Sequence, residues 1–293
     1  MGAILAENKI HQLYWRSTSR PTITTGNTNE ASGFEFVNMF DNNSHTSYML
    51  ATGTQGVTII DFGSDTFVFN GFAIYGHNLT TTQGIKIEHS DNGTSYTLLT
   101  DSAVYPANGE HLPKNGLGQA YGVYLKGTTL TKRYIKITTV GWTTSTFISN
   151  LSIGVWTDDI NIVAPYTPPS FTKQQVTAKR NNEGNFLSSQ TRKIPQKLNI
   201  SLINLTQSDL DASGTNTTET SFSTENTFIN YLGFFLSRFP FFVMHDTGTG
   251  TNSEIKDTRN QIYFCTIEGS LNQPQFATPT TFSWSINAVG YIS

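Results

Sequence analysis

The sequence predicts a mostly β protein: a β-sandwich followed by a smaller β-rich domain with one α-helix. Three observations carry this. Charged residues make up 13% of the 293, about half the usual share. Thr, Ser, Asn and Gly stand where Lys and Glu normally do, and Thr and Asn are weak helix formers. Short runs of alternating apolar and polar residues recur through the first half, with turn residues between them. A proline cluster in residues 164–170, holding Pro165, Pro168 and Pro169, favours an extended spacer and divides the chain.

In the first half, residues 56–63 read as a strand, and residues 67–75, rich in Phe, Val and Ile, as the next. Residues 84–90 alternate strictly, with Ile85 and Ile87 on one face and Lys86 and Glu88 on the other. Asp91-Asn92-Gly93 follows as a hairpin turn in which Asn-Gly suits positive φ, and residues 95–99 form the partner strand. Residues 121–125, 133–139 and 150–156 complete the set. Many short strands at this spacing, without helical periods, indicate a sandwich.

In the second half, residues 170–179, 197–205, 239–245, 261–269 and 280–291 are strand candidates. One helix is expected at about residues 225–238, because Phe228, Tyr231, Leu232, Phe235, Leu236 and Phe239 recur at i, i+3, i+4 spacing. Thr224 suits its cap, Glu225 and Arg238 suit the two dipole ends, and Pro240 stops it. The expected organisation is therefore residues 1–164, a Pro-rich linker at 165–170, and residues 171–293.

Charge excludes several function classes. The net charge is -3, and the densest basic stretches, residues 173–180 and 192–197, hold three positive charges each. Neither forms the stripe that phosphate neutralisation or an anionic membrane surface requires, so no nucleic-acid partner is expected. No run is long and apolar enough to span a membrane. The single cysteine, Cys265, lies in an alternating run and reads as a small core residue. Residues 1–8 lack a basic region followed by an apolar run, so a secretory signal is not expected. A Thr- and Asn-rich composition without such a signal fits a virion protein made in a host cytoplasm.

Catalytic constellations are not evident. Acidic residues are sparse, and the adjacent pair Asp158-Asp159 would point to opposite faces of a strand. The six histidines are dispersed, and no nucleophile elbow, zinc motif or phosphate loop occurs. The expectation is a protein that is not an enzyme.

Residues 33–155 resemble the galactose-binding-like (discoidin-type) jelly-roll of carbohydrate-binding modules. The stretches that carry the resemblance come in order: Phe36 to Ser44 with its Asp41-Asn42, Val57 to Gly63 ending Asp61-Phe62-Gly63, Asn70 to Gly76, the Ser90-Asp91-Asn92-Gly93-Thr94-Ser95-Tyr96 hairpin, and Arg133-Tyr134-Ile135-Lys136-Ile137. Residues 171–293 are similar, as a pattern, to the C-terminal part of bacteriophage tail-tip and baseplate proteins. The resemblance implies an N-terminal jelly-roll and a second domain that assembles symmetrically with itself and with other tail proteins. It further implies a host-surface glycan as ligand. A stand-alone lectin-like protein is the alternative.

The same resemblance implies two sites. In such domains sugar sits in loops at one end of the sandwich, on an aromatic platform with polar partners. The matching residues here are His77, Asn78, Tyr105, His111 and Trp142. His77-Asn78 ends a strand and so belongs at a loop rim. Trp142 is flanked by small and polar residues, as an exposed platform would be; packing against the strands is the other reading. A structural Ca²⁺ would fall to Asp41, Asn43 and Thr46, with Asn150 where the family usually places an acidic residue. The same loop also reads as a plain Asx turn. Asp61 is expected to fold back onto a loop amide, and Arg133 to bond backbone carbonyls while its stem packs.

Overall fold

The computed structural model describes residues 2–5, 9–11, 14, 20–26, 29–52, 55–63, 67–99, 120–125, 129–162, 174–180, 186–193, 196–205, 240–244, 254–256, 262–269 and 275–290. The chain is mostly β, and its strands form antiparallel sheets. The helix expected at 225–238 and the linker at 165–170 lie outside the described residues. Among the described residues no helix is long and apolar enough to cross a membrane.

Three layers stack on one another. The front sheet runs Thr22–Gly26, Val57–Asp61, Tyr134–Val140, Gly84–Ser90, Thr97–Leu98. The middle sheet runs Glu254–Lys256, Tyr121–Leu125, Gly71–His77, Phe147–Gly154, Tyr48–Thr52, Asn29–Glu30. Between them lies the larger core. Ile60, Ile85, Ile87, Ile135 and Ile137 come from the front sheet, and Phe72, Ile74, Tyr121, Leu151 and Ile153 from the middle one. The strand alternation read from the sequence sets this: Thr58 and Ile60 point in, while Val57 and Ile59 are half-buried on the outer face.

The third layer is a small barrel. Gln196–Leu205, Thr157–Ile162, Gly2–Leu5, Phe241–Met244, Ile262–Ile267 and Phe282–Gly290 pair in that order, and Phe282–Gly290 pairs back onto Gln196–Leu205. The ring of pairings is thus closed, which removes open edges. Phe282, Trp284, Ile286 and Ala288 are buried, while Ser285 and Asn287 between them are exposed. Cys265 is fully buried beneath the Phe241 carbonyl, as expected of a core thiol. Gly2–Leu5 and Thr157–Ile162, from the N-terminal side of the expected boundary, hydrogen-bond to strands of the second half.

The strand Gly71–His77 is buried along its whole length because both its faces are covered. Phe72 and Ile74 face the front sheet; Ala73 and Tyr75 meet Phe242, Met244, Ile262 and Phe264 of the barrel. Tyr75 stacks on Phe264 at 4.6 Å. Gly122 permits the close approach here: a Cβ on it would lie 2.8 Å from the Trp156 ring.

Local expectations are met in part. Asp61 Oδ1 accepts the Gly63 amide at 2.8 Å, as expected. Arg133 was expected to bond backbone carbonyls; among the described residues its guanidinium grips both Asp61 oxygens, at 2.8 and 3.0 Å. The two residues meet because Tyr134 pairs with Asp61 across adjacent strands, which places the Arg133 guanidinium beside that carboxylate.

Candidate functional site

One end of the sandwich carries two loops that are locked together. Residues 78–83 leave the strand Gly71–His77, and residues 141–146 enter the strand Phe147–Gly154. Asn78 joins them: its amide nitrogen donates to the Ser145 carbonyl at 2.7 Å, and its oxygen accepts the Phe147 amide at 2.8 Å. Gln83 reaches across to donate to Thr146 Oγ1 at 3.0 Å and accepts the Thr80 amide at 3.2 Å. Gly141 has φ +69°, and a Cβ there would lie 2.3 Å from the Thr82 carbonyl oxygen, so the loops touch backbone to backbone.

The outer rim of this pair is uncharged. Thr80, Thr81, Thr82, Thr143, Thr144 and Ser145 are exposed, and neither loop contains an ionisable side chain. Thr143 Oγ1 lies 3.1 Å from Ser145 Oγ and 3.0 Å from Thr146 Oγ1. Each hydroxyl both donates and accepts, so the rim is a pre-positioned set of neutral hydrogen-bonding groups. It holds no general acid or base. Among the described residues no group of three or more His, Cys, Asp or Glu gathers anywhere.

The structure redistributes the expected sugar residues. Asn78 is at the rim, half-buried, and its amide is spent on the loop clamp. His77 is fully buried, with Nδ1 accepting the Leu79 amide at 3.3 Å; it belongs to the interior, since the strand end is covered by the adjoining loop. Trp142 is not a platform. It is fully buried, its indole N–H donates to the Gly84 carbonyl at 2.8 Å, and its ring lies 5.5 Å from that of Tyr48. Its small neighbours turn the chain sharply inward instead of displaying the ring. Tyr105 and His111 lie outside the described residues. What aromatic reasoning missed is the pair of hydroxyl runs, Thr80-Thr81-Thr82 and Thr143-Thr144-Ser145, each beside a strand end.

The expected calcium ligands Asp41, Asn43 and Thr46 are bonded to one another within their loop. Asp41 Oδ1 accepts the Asn43 amide at 2.8 Å and Oδ2 accepts the Thr46 hydroxyl at 2.6 Å. Asn43 Oδ1 accepts the His45 amide at 3.0 Å. Each of these side-chain oxygens thus accepts a hydrogen bond from within the loop. Asn150 is fully buried on its strand, where its oxygen accepts the Ser152 hydroxyl at 3.1 Å; no hydrogen bond joins it to the other three. The loop is a self-bonded Asx turn.

The outer face of the front sheet carries an ionic network. Glu88, with its side chain 8% exposed, receives Lys86 at 2.9 Å and Lys136 at 2.7 Å. Lys136 also lies 4.3 Å from the Tyr96 ring centre, and Arg133 lies 4.8 Å from that of Tyr134. The cations occupy these ring faces, so the network ties the sheet face to itself.

No family model and no curated protein matches the chain. Solved structures with low similarity exist. A GH29 fucosidase of Ruminococcus gnavus in complex with fucose matches at 18% identity over 49% of this chain and 26% of its own, with a TM-score of 0.35. Chitosan-binding module 1 of a Paenibacillus chitosanase/glucanase matches at 19% identity over 45% of this chain and 93% of its own, TM-score 0.33. CBM32-1 of a family 31 glycoside hydrolase from Clostridium perfringens matches at 13% identity over 45% and 93%, TM-score 0.33. The chain spans about a quarter of the fucosidase's length.

Proposed function

We propose that this chain is a non-catalytic glycan-binding protein whose sandwich end takes the hydroxyls of a neutral sugar. The observation that carries it is the uncharged hydroxyl rim of residues 78–83 and 141–146, held in place by Asn78 and Gln83. A rim fixed before binding loses little freedom on contact. Its lack of ionisable groups suits neutral sugars and supports recognition without bond cleavage. The test is binding of the intact protein to an array of neutral and acidic glycans. The double variant Thr81→Glu, Thr144→Glu places charge at two exposed rim positions and is expected to abolish binding there.

The wider setting we propose is a structural component of a bacteriophage tail tip or baseplate, in the virion, with symmetric copies of the chain. One observation favours it over a stand-alone lectin. Gln174–Arg180 and Phe186–Lys193 form a two-stranded ribbon paired only with itself among the described residues. Such a ribbon is marginal alone, and its two outer edges suit pairing within an assembly. Light scattering of the full chain tests this: a closed oligomer supports the tail setting, and a monomer at all concentrations favours the lectin.

A further inference from the structure

We infer that the barrel mouth is a second carbohydrate-contact site, with Phe276 as the platform for one neutral pyranose ring. Phe276 is 75% exposed, whereas the next most exposed large hydrophobic among the described residues, Phe34, is 39% exposed. It stands on the two-residue strand Gln275–Phe276, directly opposite Phe282. Phe282 begins its strand and faces the end of Gln196–Leu205, so it occupies the last inward layer of the barrel. The two rings lie 4.5 Å apart at 37°, which backs Phe276 on one side with Phe282. Barrel mouths are recurrent small-ligand sites.

The turn that follows the ring is held in position. The Ala277 amide donates to the Thr281 carbonyl at 2.9 Å, Thr278 and Thr281 share a 2.7 Å hydroxyl contact, and the Thr281 amide donates to Thr278 Oγ1 at 3.1 Å. The stretch that carries Phe276, residues 269–293, contains no Asp, Glu, Lys, Arg or His, and such an uncharged stretch suits a neutral ligand. Gln275, Thr278 and Thr280 are exposed beside the ring and offer neutral donors and acceptors. One isolated ring is far smaller than the apolar core of a stable protein interface. It matches the apolar face of a single sugar, with hydroxyls at the perimeter.

This site shares its ligand class with the sandwich rim but none of its residues, so the two fail separately. The test uses the intact protein carrying Thr81→Glu and Thr144→Glu, which silences the rim. Saturation transfer to the methyl glycosides of glucose, galactose, mannose and N-acetylglucosamine is measured by NMR. At least one glycoside is expected to receive saturation at its ring C–H protons. Phe276→Ala is expected to weaken that binding about tenfold, and Phe276→Tyr to retain it. Equal transfer in Phe276→Ala, or no transfer to any of these glycosides, overturns the inference. Loss of rim binding in the parent protein with transfer at Phe276 intact contradicts only the rim.

Discussion

Asn70 and Trp156, 86 residues apart, hold each other by two hydrogen bonds: Asn70 Nδ2 donates to the Trp156 carbonyl at 3.0 Å, and the Trp156 amide donates to Asn70 Oδ1 at 2.7 Å. The side-chain amide replaces a backbone partner where the chain passes from the sandwich to the barrel, and both residues are buried. Asn70→Ala removes both of these buried hydrogen bonds. It is expected to cost about 2–4 kcal/mol, read as a lower denaturant midpoint at unchanged slope.

Gly141→Ala tests the loop clamp. The new Cβ meets the Thr82 carbonyl oxygen at 2.3 Å in a backbone of positive φ, so one loop must move. A loss of about 1–3 kcal/mol is expected, together with weakened glycan binding at the rim. Calorimetry and array binding on the same preparation measure both.

Trp142→Ala distinguishes a core residue from a platform. Removing a fully buried indole that bonds Gly84 is expected to cost about 3–5 kcal/mol. Thermal unfolding reads this directly. A stable variant that only lost sugar affinity would restore the platform role.

Acid sensitivity follows from two carboxylates. The Arg133 hydrogen bonds hold Asp61 below its usual range. Burial pushes Glu88 up, but the hydrogen bonds and charges of Lys136 and Lys86 outweigh it and leave Glu88 lowered. Both folded values lie below the unfolded ones, so their contribution is present above about pH 4 and is lost as pH falls through the lowered values. Glu88→Gln is expected to flatten the acid limb of a stability–pH curve. At neutral pH it costs about 1–3 kcal/mol, less than a fully buried pair because both lysines reach water.

Alternation made the front sheet legible: Ile85 and Ile87 face in, and Lys86 and Glu88 pair outside, as the period of two requires. The hairpin turn was legible through Gly93, which has φ +72°. The sandwich strands Val57–Asp61, Gly71–His77, Tyr121–Leu125 and Tyr134–Val140 were legible for the same reason. Strands such as Thr22–Gly26 and Gly2–Leu5 were not, because they are short and gain their order from neighbours distant in sequence. No local pattern announces that Phe282–Gly290 closes on Gln196–Leu205. The site was misread where flanking polarity stood in for exposure. Trp142 sits among threonines yet turns inward to Gly84. Asn78 was found, but as the clamp of the rim.

The proposed function rests on an uncharged hydroxyl rim that binds neutral glycans. Glycan-array retention of the intact protein beside Thr81→Glu, Thr144→Glu tests it most directly. Retention on neutral glycans is expected, and the double variant is expected to lose it at the rim while its unfolding midpoint stays unchanged. No retention on any glycan, or retention that Phe276→Ala abolishes and the double variant leaves untouched, would contradict it.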